Sequence, residues 1–86
     1  MSERASPEAL AILRDVIQDQ IAAKDPPETA ATFARLRREG LDEELIWRLL
    51  SAVLLQEMSV MMVENRPFDP QGYAEALARL PDLADR

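Results

Sequence analysis

The fold is decided by Leu41 to Asn65, LDEELIWRLLSAVLLQEMSVMMVEN. This is the longest apolar segment of the chain, and its spacing predicts a single helix. Ile46, Leu50, Val53, Glu57, Val60 and Glu64 recur at alternating steps of four and three, as residues on one helical face do. Trp47, Leu54, Met58 and Met61 form a neighbouring row, and Leu49 and Val63 widen the apolar arc. The polar strip is narrow: Arg48, Ser51, Ala52, Gln56 and Ser59, interrupted by Leu55. A helix that is apolar nearly all round needs burial on several sides.

Both ends of this helix are marked. Gly40 suits the left-handed position just past a preceding helix. Asp42 is expected as the N-cap, its carboxylate accepting from orphan N–H groups of the first turn. Glu43 and Glu44 put negative charge at the positive end of the dipole. Leu41 and Ile46 have the spacing of a hydrophobic staple. Pro67 ends the helix by disfavouring helical backbone at Arg66. The run is long enough to span a bilayer. Arg48, Gln56 and Glu57 lie inside it, however, and charge at that depth is expensive. We therefore read it as a core helix and expect no membrane partner.

The rest of the chain supplies shorter helices. Ser6-Pro7-Glu8 reads as cap, first helical residue and first-turn acid. A helix over about 7–24 follows, with Leu10, Leu13, Ile17 and Ile21 inward and Ile12 and Val16 widening the stripe. Asp25-Pro26-Pro27-Glu28 predicts a cap at Asp25, Pro26 as first helical residue and a capping box through Glu28. The second helix, about 26–39, has a thin apolar face of Ala30, Phe33, Ala34 and Leu36. Asp69-Pro70 opens a last helix over about 70–80, with Phe68 and Tyr73 placed as a second staple and Leu77 and Leu80 on its inner face. The expected fold is all-α: one domain over 1–86, four helices at about 7–24, 26–39, 42–65 and 70–80 around the long apolar third, with loose ends at 1–5 and 82–86.

Composition sets limits on chemistry. A chain of 86 residues forms one small domain whose core is marginal alone. It has no cysteine and no histidine, so disulfides, thiolate chemistry and imidazole catalysis are excluded. Oligomerisation is the remaining way to add buried surface. Net charge is −6, which argues against nucleic acid as the main partner. The opening MSERASPEAL lacks the apolar stretch of a signal peptide, so a cytoplasmic location is expected.

Glu57 is the most informative single residue. It falls in the apolar arc among Val53, Leu54, Val60 and Met61, and a buried carboxylate must be paired, hydrogen-bonded or protonated. Paired with Glu64 it suggests a metal or acid/base site, possible across a dimer. The plainer reading, which we favour, is a structural partnership with an arginine or the Tyr73 hydroxyl, or a position at the edge of a dimer interface. Arg35, Arg37, Arg38 and Arg48 form a second cluster, and helix–Gly turn–helix faintly suggests a DNA-binding motif. A solvated basic face is the favoured reading. Trp47, Leu50, Leu54, Met58, Met61 and Met62 are the candidate interface, since methionine-rich faces adapt to partners. No nucleophile–base pair and no phosphate loop is visible, so neither catalysis nor a cofactor is expected.

Five segments carry a resemblance: Asp25-Pro26-Pro27-Glu28, Thr32 to Gly40, Leu50 to Glu57, Arg66 to Asp69, and Tyr73 to Pro81. Together they resemble a group of short, uncharacterised bacterial all-helical proteins. The resemblance implies bacterial origin and a small helical fold, and it implies no activity. The function expected from the residues is a non-enzymatic helical module that self-associates, as a homodimer through the third helix, and presents a surface to another protein.

Overall fold

The computed structural model describes residues 7–82. It has four helices: α1 Pro7–Ala23, α2 Pro27–Arg38, α3 Glu43–Glu64 and α4 Pro70–Arg79. No strand occurs among the described residues. The fold class is all-α, as expected. The Ser6 cap and the loose end at 1–5 lie outside the described residues, as does all of the C-terminal tail except Asp82.

The chain reverses three times, each time through a left-handed residue just beyond a helix. Lys24 has φ 55°, Gly40 φ 91° and Asn65 φ 51°. At Gly40 the backbone closes in a Schellman motif: Leu41 N–H donates to the Leu36 carbonyl at 3.1 Å and Gly40 N–H to that of Arg37 at 3.0 Å. Leu41 then packs against the core beside Leu36. The α1 end repeats the pattern, with Asp25 N–H on the Gln20 carbonyl at 3.0 Å.

The start of α2 differs from the expectation. Pro26, not Asp25, is the N-cap, in extended backbone, and Pro27 is the first helical residue. The reason is local: a residue preceding proline is driven out of the helical region, so Pro26 cannot begin the helix that Pro27 begins. The capping box through Glu28 does not form, and Glu28 is exposed. Asp42 and Asp69 do occupy N-caps, but neither carboxylate makes a capping hydrogen bond. Helix starts here rest on backbone geometry and on the staples. Ile46 is fully buried behind Leu41, and the Phe68 and Tyr73 rings meet edge to face at 5.4 Å.

One core joins all four helices. It comprises Leu13 and Ile17 of α1, Leu36 of α2, Ile46, Leu49, Leu50, Val53 and Leu54 of α3, Tyr73 and Leu77 of α4, and Leu80. The buried face of α2 is not the alanine stripe. Thr29, Thr32 and Leu36 are buried, Phe33 half-buried and Ala34 exposed. Small threonines let α2 approach closely, and their hydroxyls need internal partners.

Candidate interaction surface

Two polar devices lock the bundle and fix what remains free. Gln20 Oε1 accepts from the Thr29 hydroxyl at 2.8 Å and from the Tyr73 hydroxyl at 2.9 Å. One amide oxygen thus ties α1, α2 and α4, although α1 and α4 do not approach at backbone level among the described residues. Burial raises the Tyr73 hydroxyl above its ordinary value; the nearby Glu57 carboxylate pushes the same way, and Thr29 and Gln20 offset part of the shift. The second device is Arg35. Its guanidinium donates to the carbonyls of Leu80 at 3.0 Å and Leu77 at 3.1 Å, capping the end of α4. Glu39 holds it in place at 3.1 Å.

The basic cluster is therefore divided. Arg35 is spent on carbonyls of α4. Arg37 and Arg38 stand exposed at the end of α2, with Glu43 3.9 Å from Arg37. Arg48 lies on another surface, in a shallow cleft of about 230 Å³ lined by Leu10, Arg14, Glu44, Trp47, Arg48 and Ser51. In that cleft Arg14 stacks over the Trp47 ring at 4.7 Å, and Phe33 meets the same ring edge-on at 5.3 Å.

Glu57 is not a core carboxylate. It is half-buried and makes no hydrogen bond or ion pair among the described residues. The Tyr73 hydroxyl, its expected partner, donates to Gln20 instead. No group of three or more acidic, histidine or cysteine side chains among the described residues could hold a metal. The reason for the correction is length. At about 1.5 Å per residue the 22 residues of α3 span roughly 33 Å. The whole molecule is 35 Å in its longest dimension, and α1, α2 and α4 have only 17, 12 and 10 residues. They cover the first half of α3, where its buried residues run from Ile46 to Leu54. They cover the second half only in part: Gln56, Glu57, Val60 and Met61 are half-buried, and Leu55, Met58, Ser59, Met62, Val63 and Glu64 are exposed.

This divides the candidate interface too. Leu50 and Leu54 belong to the chain's own core, and Trp47 is half-covered by Arg14 and Phe33. Met61 is half-buried. Met58 and Met62 are exposed, at 42% and 80%, with Leu55 at 39% and Val63 at 85%. The row Arg48, Ser51, Leu55, Met58, Met62 steps by three and four along one side of α3. At Ser51 it is buried beside the α1 cleft; from Leu55 onward it faces outward. The opposite row, which is core from Ile46 to Val53, continues as Glu57, Val60 and Glu64. Past the midpoint the row that faced the core carries Glu57 and Glu64 on either side of the half-buried Val60, while the outer row is Leu55, Met58 and Met62. Ile12 and Val16 of α1 add exposure at 63% and 39%. By length and composition α3 is the one described helix apolar enough to cross a membrane, yet its first half is built into the core.

The chain matches no protein-family model, and neither the curated proteins nor the solved structures compared with it provide a match.

Proposed function

We propose that the chain is a non-enzymatic, cytoplasmic helical module that works by protein–protein contact and self-associates through the second half of α3. One observation carries the reading: an uncharged row of Leu55, Met58 and Met62 stands outward on a helix whose other half is core. Contiguous exposed apolar surface on a soluble domain marks a binding site. At these exposures the three side chains leave on the order of 300 Å² per copy, under half of the ~800 Å² each partner gives a standard interface. That area suits a concentration-dependent equilibrium rather than a permanent dimer.

Light scattering over a concentration series tests it. The expected result is a rise from monomer to dimer mass across the micromolar range. Met62→Glu should weaken association at least tenfold, because each copy must then bury a carboxylate. Met62 is 80% exposed in the single copy, so at concentrations where the chain is monomeric helix content and unfolding midpoint should not move. Monomer mass at every concentration would refute the reading.

A further inference from the structure

We propose that the two copies pair antiparallel, about a two-fold axis that crosses the outer face midway between Met58 and Met62, at the level of position 60, with Met58 of each packing on Met62 of the other. The proposal rests on the self-association above and adds its geometry. Only Leu55 to Asn65 of the row is free, since α1 lies beside Arg48 and Ser51. Position 60 is the middle of that stretch. Reversal about it sets 58 against 62 and 55 against 65, so each methionine meets a methionine.

Charge selects the occupant. Between Leu55 and Val63 the outer row carries no charge, and Glu57 and Glu64 lie on the opposite row. A nucleic acid or a strongly charged peptide finds nothing there to pair with, whereas a second copy brings the same uncharged row. A membrane surface fits less well. Helices that lie on lipid flank their apolar face with lysine and arginine, and here Ser59 and Gln56 lie to one side of it and Leu54 and Met61 to the other, on a chain of net charge −6.

Charge also selects the direction. In a parallel pair Arg48, on the same row, would oppose its own copy, and both α1 helices would crowd the same end. Antiparallel pairing sends the two Arg48 side chains and the two α1 helices to opposite ends and sets the helix dipoles head to tail. Such an interface is self-complementary and closes at two copies.

The absence of cysteine makes the test direct. A nitroxide on Glu43→Cys sits at the exposed start of α3, away from the row. Glu43 is seventeen residues from Val60, so an antiparallel pair separates the two labels by about 50 Å, twice that run at ~1.5 Å per residue. A parallel pair holds them within about 25 Å, given helix spacings of 8–10 Å. A second label at exposed Gln18→Cys repeats the reading from α1. The expected result is dimer mass by light scattering, a separation near 50 Å by pulsed electron resonance, and loss of that signal on adding Met62→Glu. Dimer mass with a short separation overturns the arrangement and leaves self-association standing. Monomer mass throughout overturns both. Flotation of the monomer with phosphatidylcholine–phosphatidylglycerol vesicles, without dimer formation, assigns the row to lipid and overturns both.

Discussion

Gln20 is the residue on which most depends. Its side-chain oxygen serves two hydroxyls from two other helices, and its backbone carbonyl closes the end of α1. Gln20→Ala would take their shared acceptor from the fully buried Thr29 hydroxyl and the Tyr73 hydroxyl, leaving the two only each other. Stranding buried polar groups costs about 1–3 kcal/mol each, so we expect a loss of roughly 2–4 kcal/mol in urea unfolding. Tyr73→Phe removes one donor and leaves Gln20 its bond to Thr29, so it should cost only about 1 kcal/mol. Tyr73 is the sole tyrosine, which makes its ionisation visible in absorbance. Because burial raises its folded value, folded and unfolded chains both keep the proton below about pH 10, and its contribution to stability is intact there. Above that pH the unfolded chain ionises first, and stability falls until the pH passes the folded value. Native protein should therefore titrate later than urea-unfolded protein; coincident curves would contradict a buried hydroxyl.

At the scale of the element, helix ends were legible because they obey local rules. Gly40, Pro67 and the staples Leu41–Ile46 and Phe68–Tyr73 all appear where spacing put them. Pro26 shows a local rule applied one residue too early, since the second proline of the pair governs the first. The Gln20–Thr29–Tyr73 junction was not legible. Its members are 9 and 53 residues apart, and nothing in the spacing of an exposed-looking glutamine announces a tertiary partner. The two glycines give contrasting expectations. Gly40→Ala forces a side chain into φ 91° and should cost about 1–2 kcal/mol. Gly72 lies inside α4, where a new methyl would meet the exposed Asp69 side chain, its Oδ2 2.7 Å away and free to turn toward solvent. Its loss of helical entropy cost should leave Gly72→Ala neutral or up to about 1 kcal/mol more stable. Thermal unfolding of the two variants side by side decides this.

For the whole molecule, the sequence showed a helix too apolar to stand alone but not which part of it the others would cover. A wide arc merges the core row with the outer row, which is why Leu50 and Leu54 stood beside Met58 and Met62 as interface candidates. What separates them is a ratio of lengths: 22 residues against 17, 12 and 10. The same ratio explains why Glu57 reads as buried from its neighbours in sequence and is half-exposed in space.

That unequal cover has a consequence in time. Amides from Ile46 to Leu54 are held by side chains of every other helix and should exchange with solvent deuterium only when the molecule unfolds globally. Amides from Met58 to Glu64 have the same helical bonds and few side chains over them, so they should exchange through brief openings of the last two turns. One continuous helix would then carry a slow half and a fast half. Under the proposed self-association, dilution should widen the difference and concentration should narrow it, so the exchange profile along α3 becomes a gauge of how often its outer end has company.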